Sequence, residues 1–492
     1  MLPRILLRVC AFWIVFTLAA AIAAAQDPPD CRGGTPESLR ARLSTEVDSL
    51  LARWNQPELP GAAVLVVHCG QILHKKGYGL ADLALQRPMA PDTLFELGSI
   101  TKPFTALAIM MLAERRQLRY DQSLMDFFPD FPPWARQITL RHLLTHTAGI
   151  PEYEELFAAS GKLDRDYPRS ASTQRSPYEP TSRDGLALLA AVQKLRFRPG
   201  TRFEYSNSGY LVLAQVVERV SGLRYPEFLR RYVFEPLGMS RSLVYDETNP
   251  PIPQRAVSYT WREGVLADVD YTPLNFIYGD GNLQSTVEEL ARWDQALYGE
   301  RLVKAATLQQ AFTSGKLPNG NSIEYGFGWH VNHGYGLRRV AHGGSWLGFK
   351  NMMVRYPDQR FTVILLSNIE QFDREVLASK IARLYLRDQM VLPKTVTLPS
   401  DRLAAYAGRY ALESGAGYEV TEQHGVLWLT EPNGERHRLA ALSRDRFVYE
   451  GAEDVSITFT RAWGGRLRGL TRHQFVTEQA HRATLPAQGA RH

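Results

Sequence analysis

Apolar residues recur along this chain at two spacings, and each spacing predicts its own kind of element. After Thr35-Pro36-Glu37, a capping residue with Pro at the first helical position, four apolar residues return at helical spacing and predict a first helix. Residues 62–68 and 71–78 form strand-like runs, and Cys69-Gly70 between them predicts a hairpin.

Further along the chain, helical spacing lies between strand-like runs. It is found over residues 99–114, 184–194 and 208–220, and again from 373 to about 387. Strand-like runs return only at 351–356 and 361–367. Strands early, helices in the middle and strands late predict an α+β domain. Its sheet would be assembled from both ends, with a helical subdomain inserted between them.

Two polar segments interrupt this pattern. Residues 151–185 contain four Pro and few aliphatics, which predicts a long loop over the site. Residues 393–400 predict a linker that ends the main domain, 26–392. Beyond it, short alternating runs with turn residues predict a small, barrel-like all-β domain at 401–480. Residues 481–492 are polar and predict a flexible tail.

Composition limits the class of protein without naming it. With 492 residues, 45% hydrophobic and 22% charged, the chain is long enough for more than one folded domain. Its net charge is +6, but Arg is scattered and no dense basic tract is interleaved with aromatics. The basicity therefore predicts surface charge, and nucleic acid is not an expected partner.

The first residues have the layout of an export signal. Arg4 and Arg8 precede an apolar run, and Ala23-Ala24-Ala25 follows it. This predicts a cleaved signal peptide at 1–25, a mature chain that starts at Gln26, and no membrane span after cleavage. Cys31 and Cys69 then remain, and in an oxidising compartment either a disulfide or two free thiols are open to them.

The first candidate chemistry is Ser99-Ile100-Thr101-Lys102, at a predicted helix start. One helical turn places residues i and i+3 on the same face, so the hydroxyl and the amine can meet. A serine hydroxyl becomes a useful nucleophile only beside a base. The alternative is a capping Ser followed by a solvated Lys.

Two further constellations could complete such a site. Tyr205 could relay protons beside Lys102, and Asn207 could orient a substrate carbonyl, although both also suit a helix start. In His342-Gly343-Gly344-Ser345, the two glycines allow close backbone approach, and the Ser345 N–H could complete an oxyanion hole. The alternative there is a flexible turn.

Taken together and in this order, S-x-x-K, Y-x-N and H-x-G resemble the β-lactamase-like serine hydrolase family. That family includes class C β-lactamases, D-Ala-D-Ala carboxypeptidases, D-aminopeptidases and a group of esterases. Leu97-Gly98, residues 142–149 (HLLTHTAG) and residues 325–329 (YGFGW) also fit. The resemblance covers about residues 35–390. It implies a β-lactamase/transpeptidase-like antiparallel sheet flanked by helices, and the C-terminal part resembles the lipocalin-like domain often appended to such enzymes.

The resemblance also implies roles for the candidate residues. Ser99 would be the nucleophile that becomes acylated, with Lys102 and Tyr205 handling protons, and which of the two is the base stays open. Substrate would contact Asn207, His342, Gly344 and Ser345, the last through an oxyanion hole shared with the Ser99 N–H. No cofactor and no metal are expected. A small-molecule or peptide substrate and a bacterial periplasm fit the family.

One departure from the family pattern bears on the substrate. The third motif usually holds Lys, a permanent cation that can bind a carboxylate, whereas His342 with an ordinary pKa of about 6.5 is largely neutral near pH 7. Carboxylate-bearing β-lactams should then bind less well. Esters and D-amino-acid peptides or amides are the expected substrates.

The sequence lacks the motifs of other hydrolase classes, and one rival class stays open. His142 and His146 are four residues apart, but no Glu follows His142 as a zinc protease helix requires. The G-x-S-x-G of an α/β-hydrolase is absent from the sequence. The rival that stays open is a non-catalytic or stalled sensor of cell-wall peptides on the same scaffold, which would be acylated without releasing product.

Overall fold

A computed structural model describes residues 31, 36–163, 176–412, 415–474 and 477–483. The predicted signal peptide and Gln26 lie outside the described residues. So do residues 164–175 of the predicted loop and 484–492 of the predicted tail.

The α-helices of the described chain are α1 (Glu37–Leu51), α2 (Thr101–Glu114), α3 (Leu124–Phe127), α4 (Leu140–Leu144), α5 (Tyr153–Ala159), α6 (Ser182–Ala190), α7 (Asn207–Ser221), α8 (Tyr225–Leu229), α9 (Glu235–Leu237), α10 (Val287–Ala296), α11 (Ala305–Ala311), α12 (Arg374–Leu386) and α13 (Ser400–Ala404). Its strands are β1 (Ala62–His68), β2 (Gln71–Tyr78), β3 (Leu80–Asp82), β4 (Arg87–Pro88), β5 (Phe95–Glu96), β6 (Leu243–Val244), β7 (Tyr259–Arg262), β8 (Val265–Asp268), β9 (Leu283–Ser285), β10 (His330–Gly334), β11 (Leu337–Trp346), β12 (Phe349–Tyr356), β13 (Phe361–Ser367), β14 (Gly408–Ala411), β15 (Gly417–Gln423), β16 (Val426–Thr430), β17 (Arg436–Ala441), β18 (Arg446–Tyr449), β19 (Ala452–Arg461), β20 (Leu467–His473) and β21 (Thr477–Arg482).

The central sheet joins the two ends of the first domain. Its six strands are antiparallel and lie in the order β10-β11-β12-β13-β1-β2. β1 pairs with β13 along its whole length, from Ala62 opposite Ser367 to His68 opposite Phe361. The prediction of one sheet built from early and late strands is confirmed, and the helices of the middle region lie between them in sequence.

Both faces of this sheet are covered, which explains why β1 is apolar throughout. Ala63, Leu65 and Val67 belong to the core on the side of α2 and α7. Val64 and Val66 belong to the core on the side of α1 and α12. Since successive strand residues face opposite ways, a strand buried on both sides has no position that suits a polar residue.

Several element boundaries differ from the predicted ones. α2 begins at Thr101 after a 3-10 turn over Gly98–Ile100, and not at Ser99, because Gly98 takes a positive φ of 55°. α1 begins at Glu37, so Pro36 is its N-cap and not its first helical residue. The segment predicted as one irregular loop, 151–185, contains α5 and the start of α6.

The C-terminal domain is a closed eight-stranded barrel of β14 to β21, as predicted. Its interior is filled by apolar side chains such as Tyr410, Leu429, Ile457 and Leu470. His481 and Arg482 were assigned to the flexible tail, but they lie in β21 and pair with β14. They belong to the barrel because their backbone pairing closes it.

The N-terminal segment is fastened to the hairpin turn. Cys31 and Cys69 form a disulfide with their Cα atoms 5.5 Å apart. Within the described part of the chain, no helix combines the length and the apolar character needed to cross a bilayer.

Candidate active site

Ser99 and Lys102 meet at the start of α2. Lys102 Nζ lies 2.9 Å from Ser99 Oγ, and the 3-10 turn that precedes α2 places the two side chains on one face. The Lys102 residue is fully buried, whereas Ser99 is partly exposed. The Ser99 hydroxyl is therefore open to a ligand while its amine partner is shielded from water.

Lys102 has three hydrogen-bond acceptors around its Nζ. Besides Ser99 Oγ, these are Asn207 Oδ1 at 2.7 Å and the Asp280 carbonyl oxygen at 3.0 Å. An ammonium can donate to all three at once. A neutral amine can keep the bonds to Asn207 and Asp280 and accept the Ser99 hydroxyl proton, so this arrangement suits both protonation states.

The acceptors of Lys102 are held by carboxylates that sequence reasoning missed. Asn207 Nδ2 donates to Glu154 Oε1 at 2.7 Å, which fixes the amide so that Oδ1 faces Lys102. The backbone N–H of Asn207 donates to Glu152 Oε2 at 2.8 Å. Tyr153 OH donates to Asp280 Oδ2 at 3.0 Å. The run Glu152-Tyr153-Glu154, two residues after the HTAG segment, was the available sequence signal.

Burial changes the acidity of this group of carboxylates. It raises the pKa of Asp280 to about 7, against the opposing effect of the Lys102 cation. Burial likewise raises the pKa of Glu152 to about 7, opposed by hydrogen bonds from Ser206 and the α7 N-terminus. Near neutral pH the region beside Lys102 can therefore hold or release protons.

Tyr205 lies beside Lys102 and contacts it through the ring. Lys102 Nζ is 4.8 Å from the Tyr205 ring centroid, a cation–π distance. The His146 ring also packs against Tyr205, with the two ring centroids 4.2 Å apart. The structure therefore places Tyr205 in the site. The side chain that hydrogen-bonds to Ser99 Oγ is that of Lys102.

His342 is buried in the middle of β11 and is not part of a flexible turn. Its Nδ1 donates to the Gly343 carbonyl oxygen at 2.6 Å, so Nε2 accepts from Tyr325 OH at 2.9 Å. Burial, reinforced by the neighbouring His330 and Lys102, lowers the pKa of His342 well below its ordinary value. His342 is thus neutral, as its residue type predicted, and both ring nitrogens are occupied.

The cation facing the site is Arg374, which sequence reasoning missed. It is the first residue of α12, and its Nη1 donates to Ser345 Oγ at 2.6 Å and to the Gly344 carbonyl oxygen at 3.0 Å. Its Nε has no hydrogen-bond partner among the described residues. No local pattern could reveal it, because α12 follows β11 by two further strands.

The two glycines of the His342–Ser345 motif are each required for a different steric reason. A Cβ on Gly344 would lie 1.8 Å from the Leu97 carbonyl oxygen, so β11 can pass this close to the nucleophile turn only with Gly. A Cβ on Gly343 would lie 3.3 Å from Arg374 Nε. Gly344 thus brings Ser345 next to Gly98 and Ser99, and Gly343 leaves room for the guanidinium.

A cavity of about 610 Å³ opens on these groups, with Ser99, Tyr205, His342, Ser345 and Arg374 in its wall. The barrel contributes His473 to the same wall. A larger cavity of about 890 Å³ lies next to it and shares Ile323. It contains none of the predicted catalytic side chains, so the smaller cavity is the candidate active site.

The fold agrees with what comparison with known proteins finds. The Beta-lactamase family model matches residues 45–386, and the chain belongs to that family of serine hydrolases. Residues 392–484, which include the barrel, match a domain of unknown function (DUF3471).

The individual relatives have different names. Penicillin-binding protein 4* of Bacillus subtilis is 32% identical over 417 residues, which cover 81% of this chain and 89% of that protein. A D-aminopeptidase of Gluconobacter oxydans is 26% identical over 341 residues, 68% of this chain and only 59% of the aminopeptidase. The octameric penicillin-binding protein homologue from Pyrococcus abyssi has a TM-score of 0.63 at 26% identity, covering 88% of this chain and 96% of that one.

Proposed function

We propose that this protein is an acyl-transferring hydrolase that cleaves amide or ester bonds next to a free amino group, as in D-amino-acid amides and short peptides. The observation that carries the proposal is the contact of Ser99 Oγ with Lys102 Nζ at 2.9 Å, open to the cavity on the serine side. Esters are accepted through the same acyl-enzyme, and β-lactams, whose lactam bond has no ammonium group next to it, are weak substrates.

The reaction begins with proton transfer from Ser99 Oγ to the neutral amine of Lys102. Ser99 Oγ then bonds to the substrate carbonyl carbon, and the backbone N–H groups of Ser99 and Ser345 receive the oxyanion. Lys102 returns the proton to the leaving amine or alcohol as its bond to the carbonyl carbon breaks. Water attacks the acyl-enzyme in the same way and releases the acid.

Three carboxyl groups beside Lys102 favour a substrate with an ammonium group. Glu152, Glu154 and Asp280 surround Asn207 and Lys102, and Glu154 Oε2 is buried without a hydrogen-bond partner in the described structure. An ammonium group entering this side of the site can donate to Glu154 Oε2, and it is attracted further wherever Glu152 or Asp280 is ionised. The D-aminopeptidase relative, whose name denotes cleavage next to a free amino group, supports the same substrate class.

Arg374 suits the opposite end of a short peptide. With His342 neutral, the guanidinium in the cavity wall is the group that can pair with a terminal carboxylate. A peptide would then extend from the acidic side of Ser99 to Arg374.

The nucleophile is tested by intact-mass analysis after reaction with an electrophilic serine-hydrolase probe. Wild type and Lys316→Ala, a change at an exposed lysine, should gain one adduct each. Ser99→Ala should gain none, and Lys102→Ala should react roughly 10²–10⁴-fold more slowly, the usual range for losing a general base. Equal labelling of Ser99→Ala and wild type removes Ser99 from the mechanism.

The substrate class is tested with matched pairs of compounds. A D-amino-acid p-nitroanilide should be cleaved with a kcat/KM at least about tenfold higher than its N-acetylated form, which lacks the ammonium. Equal rates for the pair would leave a hydrolase without the proposed amine specificity. One stoichiometric burst without turnover would instead identify the stalled sensor.

We also infer that the protein is exported to an oxidising compartment, the periplasm in a bacterium. The Arg-apolar-Ala layout of residues 4–25 and the Cys31–Cys69 disulfide support export. Mass analysis of the exported chain should give a first residue at Gln26. Retention of an intact Met1 in the cytoplasm contradicts this inference.

A further inference from the structure

The contact between the barrel and the first domain holds a cluster of metal-ligating side chains outside the active site. Asp373 precedes α12, whereas Glu431 and His437 belong to the barrel. One potential ligand atom from each lies within 4.8 Å of the others. The three side chains are only 10%, 11% and 8% exposed, respectively.

Two of these atoms are buried without a hydrogen-bond partner among the described residues, namely Asp373 Oδ2 and His437 Nε2. They face each other at 3.4 Å. That separation exceeds the usual 2.7–3.2 Å of an N–H···O hydrogen bond. Ligand atoms about 2.0–2.1 Å from a tetrahedral zinc ion lie roughly 3.4 Å from one another, so the spacing suits two ligands of one ion.

The remaining atoms of these residues make contacts that orient Asp373 Oδ2 and His437 Nε2 toward each other. Asp373 Oδ1 accepts from the Val376 N–H and caps α12. The His437 ring stacks on Tyr449 with centroids 4.3 Å apart. Glu431 Oε1 accepts from Tyr449 OH at 2.7 Å and from Arg472 Nε at 2.9 Å. Outer hydrogen bonds of this kind orient the ligands of protein metal sites.

Three carboxyl groups of the cluster region, those of Asp373, Glu375 and Glu431, share the guanidinium of Arg472. Arg472 bonds to Glu431 and to Glu375, and within the described chain it acts on Asp373 through space and not through a hydrogen bond. A buried carboxylate without a paired cation is costly. A divalent ion between Asp373, Glu431 and His437 would remove that cost.

We propose that Asp373, Glu431 and His437 bind one zinc ion, with water as the fourth ligand, and that this ion fastens the barrel to the start of α12. One imidazole nitrogen and two carboxylate oxygens suit Zn²⁺ better than Ca²⁺ or Mg²⁺, which take oxygen ligands. The residue after Asp373 is Arg374, which contacts Ser345 in the active site. The ion therefore also fixes the base of a side chain in the catalytic cavity, while remaining outside the reaction.

The test is the zinc content of the full mature chain after zinc loading and desalting, measured by mass spectrometry of the metal. Wild type should retain about one zinc per chain, and His437→Gln should retain less than about a tenth of that. His424→Gln is the matched control, because His424 is an exposed histidine in a turn of the same barrel and should leave the zinc content unchanged.

A second measurement does not depend on the folding of a variant. Cobalt added to the zinc-free wild type should give the visible absorption of a four-coordinate site, and zinc should abolish it. Glu431→Gln repeats the zinc measurement with a residue of equal size. A wild type without retained zinc, or a His437→Gln variant that keeps it, overturns the proposal. In the former case the Asp373–His437 contact is an ordinary ion pair.

Discussion

Arg374 Nη1 donates to Ser345 Oγ at 2.6 Å, and this bond joins the start of α12 to the strand that carries the third motif. The sequence places a neutral histidine where related enzymes have a lysine. The structure supplies a cation to the same cavity from a residue 32 positions later, the difference between His342 and Arg374. In this chain the guanidinium in the cavity wall thus comes from the helix behind the third motif and not from the motif itself.

Replacing Arg374 should separate substrates by their terminal carboxylate. Arg374→Gln should lower kcat/KM for a D-dipeptide by roughly 10–100-fold, the worth of a hydrogen bond to a charged group. The C-terminal amide of the same dipeptide should change by less than about threefold. Arg387→Gln, at an exposed arginine near the end of α12, is the control. Equal losses for both substrates would assign Arg374 a structural role only.

Glu154 should act through Asn207. Glu154→Ala removes the acceptor that orients the Asn207 amide, and we expect the acylation rate to fall roughly tenfold because Oδ1 is no longer fixed toward Lys102. Glu155→Ala is the matched control, since the neighbouring Glu155 is exposed and pairs with Arg196 at the surface. Stopped-flow acylation by a chromogenic ester measures the effect, and identical rates in the two variants contradict it.

His330 should make the protein less stable in acid. Burial, with smaller contributions from Arg339 and Lys102, lowers the pKa of His330 to about 4. The unfolded chain, with an ordinary pKa of about 6.5, binds the proton first. This contribution to stability is therefore complete above pH 6.5 and is lost as pH falls toward 4. At 1.36 kcal/mol per pH unit it amounts to roughly 3 kcal/mol.

The comparison of wild type with His330→Gln isolates this effect from opposing groups. Burial raises the pKa of Glu96, Glu152 and Asp280 to about 7, so these carboxyls favour the folded state as pH falls. They are common to both proteins. The free energy of unfolding, measured in urea at pH 7 and pH 4, should fall by about 3 kcal/mol more in wild type than in the variant. If wild type and His330→Gln lose the same free energy of unfolding between pH 7 and pH 4, the pKa of His330 is not lowered in the folded protein.

The disulfide should stabilise the folded protein by limiting the unfolded chain. Cys31 and Cys69 are separated by 38 residues, and closing a loop of that length is worth about 4 kcal/mol in the chain-entropy account. Cys69→Ser should lower the free energy of unfolding by about that amount. Dithiothreitol should lower the stability of wild type and leave Cys69→Ser unchanged, and an equal response of both would contradict the prediction.

Residues close in sequence made part of the site predictable. Ser99 and Lys102 are three apart, and one helical turn brings any such pair together. The apolar runs of β1 and β13 likewise predicted strands because burial on both faces leaves a continuous apolar pattern. The alternation and turns after residue 400 predicted a barrel for the same kind of local reason.

Other features depend on segments that only the fold brings together. Asp280 contacts Lys102 through its backbone carbonyl from 178 residues further along the chain, and Glu154, 52 residues beyond Lys102, holds the Asn207 amide that Lys102 bonds to. His473 reaches the catalytic cavity from the barrel, and Asp373 meets His437 across the domain contact. Local spacing carries no information about such pairs. The sequence by itself determined the strands and the pairing of Ser99 with Lys102, since these follow from periodicity and helical geometry. Tertiary packing alone decided the charge balance of the site, because distant elements supply its carboxylates and its guanidinium.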